Sequence, residues 1–330
     1  VENLVYDHRT CTNLAACPSN QIGEVNANLK ALTGTSNYDL HFDDAPTIYV
    51  NGNPAPTDPG VRSLERTVGG LTSLDPYIKS GGVVQTVKMT EAMADPIEEK
   101  ALHMVNADAS RTPTFTLFGN DDFFFTGSNP CTGVSECVLP AFAWNHGDFQ
   151  QEIGNTWVGM VGPGVAGGGP GDNHGPHGSN GIDSTTWTDH TNVRPTILSL
   201  VGLKDDYVDD GHVLVQALDK KALPKGLSGP KIADLEAADE QLNASFGEFA
   251  MDTLKSSTKA LESNDSGDAT YTSIEASIAS LTTQRDTLAG QIRQAFNDAT
   301  FNGGTITDAQ ATSWISQANA LIAQAAALPH

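Results

Sequence analysis

The stretch FAWNHGDFQQEIGNTWVGMVGPGV (142–165) decides how this chain is read, together with WTDHTNVRPTILSLVGL (187–203) beyond a glycine-rich loop. Within it TWVGMVGPGV (156–165) is a β-branched and apolar run that reads as a strand entering that loop. Asn192–Val201 carries the apolar spacing of a helix, with Gly202 as its stop. Upstream, PTFTLFGNDDFFF (113–125) reads as a buried strand that delivers Asp121 and Asp122 at its C-terminal end. In open α/β sheets ligands bind at that end of the strands. The linking segment GGGPGDNHGPHGSNG, with His174 and His177, reads as loop, a flap over a site at most.

Working outward, residues 1–60 are irregular, with short strands at Asn3–Tyr6 and Thr47–Val50, and NGNPAPTDPG (51–60) is loop. Helices are expected over about Val61–Leu74 and Asp95–Asn106, where Pro96 suits a first helical turn. From Ile232 the pattern becomes helical. Ile232, Leu235, Leu242, Phe246 and Phe249 share one face, and Tyr271, Ile274, Ile278, Leu281, Leu288, Ile292 and Phe296 share another. Thr272-x-x-Glu275 and Thr307-x-x-Gln310 match capping boxes, and a last helix is expected over roughly 308–327. The fold class is therefore α/β with a C-terminal helical appendage of about three helices. The break ALPKGLSGPK (222–231) separates residues 1–225 from 226–330.

The chain has 330 residues and a net charge of −22, from 18 basic and 40 acidic residues. Such a surface repels phosphate backbones and anionic membranes, so no nucleic-acid partner is expected. It suits an enzyme of anionic esters only if bound cations reverse the sign locally. No apolar run is long enough to span a bilayer. The four cysteines form two local pairs, Cys11/Cys17 and Cys131/Cys137, without Cys-x-x-Cys spacing. Two short-range disulfides in an exported protein fit this pattern, with four buried thiols as the alternative. VENLVYD reads as the interior of a fold, so a processed or truncated product is expected, with any export signal upstream.

Imidazole nitrogens and carboxylate or amide oxygens at strand ends are suitable ligands for zinc or calcium. His146 and His190 are the first candidates, Asn145 offers an amide oxygen, and Asp122 a carboxylate. Each has a plainer reading. His146 could be a core histidine bonded to backbone, Asp189 beside His190 a helix N-terminal charge, and Asp121 and Asp122 solvated loop residues.

The order Asn145-His146-Gly147, Gly162-Pro163-Gly164, then His190 ahead of Pro195-Thr196-Ile197-Leu198 resembles the closing segment of the alkaline phosphatase superfamily. In that superfamily of phosphodiesterases, sulfatases and phosphoglycerate mutases, an Asp-His-Gly or Asp-Asn-Gly turn, a Gly-Pro-Gly strand end and a His before a Pro-Thr helix follow in this order. The wider stretch from about Pro96 looks like a bacterial branch that carries a helical C-terminal region. The resemblance implies a partial alkaline-phosphatase-like sandwich, a sheet flanked by helices. It also implies an exported, metal-dependent hydrolase of phosphoric or sulfuric esters. Zinc is the favoured divalent metal, with calcium or manganese as the other candidates. A pair of such ions stabilises the attacking and leaving oxygens together.

The sequence also departs from that pattern. Asn145 stands where the superfamily usually has Asp, and Thr126 stands where many members place a His four residues after an Asp. No catalytic residue is identified. LVYDHRT imitates a nucleophile turn with Asp7, His8 and Thr10, but Arg9 and a cysteine-closed loop follow, so Asp7 reads as structural. The nucleophile is expected on an N-terminal segment of the same precursor, and this chain by itself is expected to be inactive. The alternative is a secreted or surface protein that uses the fold for self-assembly or binding without catalysis.

Overall fold

The computed structural model describes residues 5–41, 45–128, 131–142, 146–166, 182–184, 186–204, 206–263 and 265–329. The chain is a mixed α/β protein with a C-terminal helical region. It packs as two units. The first comprises Val1–Thr156, Leu254–Glu275 and Pro329–His330, and the second Trp157–Thr253 and Ala276–Leu328.

The first unit holds every strand among the described residues. These are β1 (Glu24–Asn28), β2 (Tyr38–His41), β3 (Thr47–Val50), β4 (Thr72–Ser80), β5 (Val83–Lys88), β6 (Thr90–Ala94), β7 (Phe115–Gly119), β8 (Phe123–Thr126) and β9 (Glu136–Leu139). They form an antiparallel sheet in the order β2-β3-β7-β6, a three-stranded sheet β8-β1-β9, and a β4-β5 hairpin. Of these pairings only β1 with β8 is parallel, in the register Val25↔Phe123. The helices are α1 (Leu29–Thr33), α2 (Pro59–Gly69), α3 (Pro96–Ala101) and α4 (Gln151–Gly154).

The run 113–125 forms two strands in two sheets rather than one. Asn120 and Asp122 break it. The Asn120 side-chain oxygen accepts from the Asp121 backbone at 3.0 Å, and Asp122 takes a left-handed φ of 72°. Short polar side chains stabilise such turns locally. On either side β7 and β8 are buried along their whole length. Full burial on both faces suits their unalternating aromatic sequence.

Two disulfides, Cys11–Cys17 and Cys131–Cys137, join the expected pairs. They serve one edge of the three-stranded sheet. Cys11 exchanges backbone hydrogen bonds with Val138 at 3.1 and 2.9 Å, and Cys137 lies in β9.

The second unit contains α5 (Val193–Val201), α6 (Ile232–Asn243), α9 (Asp308–Ala326) and parts of α7 (Glu248–Leu261) and α8 (Ala269–Phe301). The face from Ile232 to Phe249 is divided between α6 and α7, because the chain leaves the helix at Ala244. The α6 helix packs on α9. The Thr307/Gln310 capping box is present at α9. The 272–275 match is not a cap, since α8 already begins at Ala269 and Asp265 accepts from the Thr270 backbone at 2.9 Å. The break at 222–231 lies inside this unit. There Gly226 approaches the backbone of Ala299 and Gly304 so closely that a Cβ would fall 2.2 Å from the Gly304 oxygen. No described helix is long and apolar enough to cross a membrane.

Candidate functional site

His146 is exposed and precedes Gly147, whose φ is 102°. The next residues fasten this turn to the C-terminal end of β7. Buried Asp148 accepts from the Gly119 backbone N–H at 3.0 Å, and Gln150 Nε2 donates to the Gly119 oxygen at 2.6 Å. Asp122 lies just beyond that same strand end. It shares a side-chain hydrogen bond with Asp75, a buried carboxyl pushed up by desolvation. The structure therefore brings the His146 turn and Asp122 to one end of β7. Asn145, His174 and His177 lie outside the described residues.

His190 belongs to the second unit and is exposed, at the start of a 3-10 turn, His190–Asn192, that leads into α5. Asp189 caps this turn by accepting from Thr191 at 2.8 Å. Beneath it, buried Asn192 accepts from the His212 backbone at 2.9 Å and donates to Glu240. Thr196 donates to the Asn192 oxygen at 2.7 Å and accepts from Leu214 at 2.9 Å. Gly211 passes so near Thr191 that a Cβ would sit 2.3 Å from its carbonyl carbon. The segment DHTNVRPT is thus anchored by its polar residues, and its imidazole is left at the surface.

Asp7 is taken up locally. Arg9 donates to its carboxylate from Nε at 2.9 Å and from the backbone at 3.0 Å, and these bonds lower its pKa to about 2.

Two buried acidic clusters lie elsewhere. In the first unit Arg62 of α2 bonds Glu65 at 2.5 Å and Asp95 at 3.0 Å, and stacks on the Tyr271 ring at 4.1 Å. Asp95 is the N-cap of α3 and forms a reciprocal capping box with Glu98. Tyr271 donates to Asp95 at 2.8 Å, and Ser257 donates to Glu275 at 2.7 Å. Ligand oxygens of Asp95, Glu98 and Glu275 lie within 4.8 Å of one another, the one such convergence of three His, Cys, Asp or Glu groups among the described residues. Burial pushes Glu275 up to about 8 and raises Glu98 well above the ordinary carboxyl range.

In the second unit His212 is sandwiched by α6 carboxyls. Its Nε2 lies 3.3 Å from Glu240 and its Nδ1 lies 3.8 Å from Glu236. Burial lowers the His212 pKa to about 4 and raises Glu240 to about 7. The imidazole is therefore neutral, and its two ring nitrogens have no hydrogen-bond partner.

No family model matches this chain, and no curated protein or solved structure matches it either.

Chemically, the β7 end offers the exposed His146 imidazole and the half-buried Asp122 carboxyl, but no three such groups converge there among the described residues. The two clusters are walled in and present no exposed nucleophile or base. Sequence reasoning missed them. Glu98 and Glu275 both occupy positions of capping-box type, which ordinarily point a carboxylate at solvent and backbone. The legible hint was Arg62 and Glu65 lying on a helix beside the apolar positions Val61 and Val68.

Proposed function

We propose that this chain is the C-terminal part of an exported, metal-dependent hydrolase of phosphoric or sulfuric esters, of alkaline-phosphatase lineage. The observation that carries the reading is the grip of Asp148 and Gln150 on Gly119. It holds His146-Gly147 near Asp122 at a strand end, where this lineage keeps its metal ligands. His146 and Asp122 serve as ligands there, and the resemblance adds the Asn145 amide. His190 keeps the ligand role that the motif order gives it. Zinc suits the imidazoles, and bound cations make an acidic protein tolerant of an anionic ester. The two disulfides support the extracellular or surface location.

The nucleophile comes from a further segment of the precursor. In its support, the run expected as strand 156–165 joins no described sheet, pairing only at its end through an isolated bridge of Val165 with Leu218, and Trp157 and Val161 are 86% and 99% exposed. An apolar run left bare in this way suits pairing with another segment, so the sandwich is completed by it. The same bare run also suits the second reading, a non-catalytic surface protein that assembles through it.

The test is metal analysis and turnover of aryl phosphate and aryl sulfate by the full-length precursor. Bound zinc and turnover are expected, with roughly a hundredfold loss or more in His146→Ala and in His190→Ala. A folded precursor that contains no metal and turns over neither ester would overturn the enzyme reading in favour of assembly.

A further inference from the structure

We propose that Asp95, Glu98 and Glu275 form a buried binding site for a divalent cation of the calcium type, inside the first unit. The site uses none of the residues assigned to the hydrolase metal above. Its ligand oxygens converge within 4.8 Å. Oxygens on opposite sides of a calcium ion lie about 5 Å apart and neighbouring ones about 3 Å, so the spacing admits such an ion.

Two of these oxygens have no hydrogen-bond partner. Glu98 is 0% exposed and its Oε1 meets no donor; Glu275 is 6% exposed and the same holds for its Oε2. The two carboxyls face each other within side-chain hydrogen-bonding reach, so a proton shared between them is what an ion would displace. Their other oxygens are already occupied. Glu98 Oε2 accepts from the Asp95 backbone at 3.3 Å, and Glu275 Oε1 accepts from Ser257 at 2.7 Å. Asp95 is held in turn by Arg62, Tyr271 and the Ile97 backbone. Glu98 and Glu275 are thus each oriented from behind with one oxygen left without a donor, while both oxygens of Asp95 already accept hydrogen bonds, as supporting bonds orient metal ligands.

Charge balance admits a divalent ion in place of protons. Arg62 faces Glu65, Asp95 and Glu275, and Glu98 adjoins Asp95 and Glu275, so the fully ionised group carries one positive and four negative charges, a net of −3. The guanidinium is already committed, with Nη1 on Glu65 and Nη2 on Asp95 and the Pro56 oxygen. Uncompensated charge in a dry interior is costly; without an ion it is met by protons on the raised carboxyls Glu98 and Glu275, and a divalent ion would take the place of two of them. An all-oxygen set without imidazole or thiolate selects calcium over zinc. The ion would pin α8 to the corner between β6 and α3, joining residues far apart in sequence and acting as a structural clamp.

The test uses the full 330-residue chain, stripped with a chelator and titrated with calcium chloride, with zinc and magnesium chlorides in parallel. Calorimetry and thermal unfolding are the readouts. One saturable calcium per chain and a rise of several degrees in Tm are expected. Both should persist in the His146→Ala/His190→Ala double variant, so this outcome is independent of the hydrolase metal. Glu98→Gln and Glu275→Gln, which keep shape and remove charge, should weaken calcium by about tenfold or more. If either variant fails to fold, the titration of the unsubstituted chain decides. No Tm response to about 10 mM calcium, well above the range of extracellular calcium modules, overturns the proposal. Zinc binding alone, or calcium binding lost in the double histidine variant, overturns it equally. So does a Glu98→Gln chain that melts higher than the parent at about pH 8 while calcium has no effect, since that identifies a shared proton.

Discussion

The two buried acidic clusters solve one problem with different partners. In the first unit an arginine, Arg62, lies among Glu65, Asp95, Glu98 and Glu275 and is itself buried. In the second, the α6 carboxyls Glu236 and Glu240 flank an imidazole held neutral by burial. The first arrangement depends on a fixed charge and the second on protons. A guanidinium cannot give up its charge at any ordinary pH, whereas carboxyl and imidazole exchange protons near neutrality. The first unit should therefore fail when its cation is removed, and the second should respond to pH.

The largest effect is expected from Arg62→Met. It removes the guanidinium contacts to Glu65, Asp95 and the Pro56 oxygen and leaves an apolar stem beside Tyr271. Breaking a buried pair from one side costs about 3–5 kcal/mol, because the other charges stay behind. Urea denaturation followed by tryptophan and tyrosine fluorescence should show the first unit destabilised by that order. A loss below about 1 kcal/mol, the value of a surface pair, would mean that the carboxyls are already neutral without Arg62.

The second prediction probes the proton side. Burial raises Glu240 from 4.5 to about 7 in the fold. The folded state then binds more protons than the unfolded state between those values. Its contribution is fully present below about pH 4.5 and is lost as pH rises through about 7. His212, lowered to about 4, works in the opposite sense, since stability falls as pH drops from 6.5 to about 4. Glu240→Gln keeps an oxygen for Asn192 and removes the titration. It should flatten the decline of stability between about pH 4.5 and 7, with a gain on the order of 1–3 kcal/mol at pH 8. Denaturation curves at several pH values check this. An unchanged slope would show that Glu240 is ionised throughout.

Why was so little of either cluster visible in the sequence, when much of the scaffold was? Helix signals are local, and several were legible. Pro96 sits in the first turn of α3, Gly202 stops α5 with a φ of 68°, and Thr307/Gln310 cap α9. The disulfide pairs were legible because each closes its own short loop. Strand limits were harder. A hydrophobic pattern cannot tell that Asn120 turns the chain between two sheets, or that Trp157 lies exposed outside any strand. Buried carboxyls are harder still, because their partners come from distant segments. Glu275 owes its burial to Ser257 and to the Asp95 corner, and nothing within one turn of it reports either contact. For the nominated ligands, sequence supplied His146, Asp122 and His190. The grip of Asp148 on β7 is a long-range bond that only the fold reveals.

The smallest effect sharpens the contrast inside the first cluster. Tyr271→Phe removes the hydroxyl that donates to Asp95 at 2.8 Å but keeps the ring stacked on Arg62 at 4.1 Å. Asp95 retains Arg62 at 3.0 Å and the Ile97 backbone at 2.8 Å, so its carboxylate is not orphaned. The cost should be that of one hydrogen bond to a charged group, about 1–2 kcal/mol, and clearly less than for Arg62→Met. A double variant separates the two roles. If the hydroxyl matters only by helping Arg62 hold Asp95, the costs of Tyr271→Phe and Arg62→Met will fall short of adding by about 0.5 kcal/mol or more. If they add within about 0.3 kcal/mol, the hydroxyl acts independently of the arginine. The fixed charge would then be only one of two separate supports for Asp95, and the first cluster would lean less heavily on its cation than its geometry indicates.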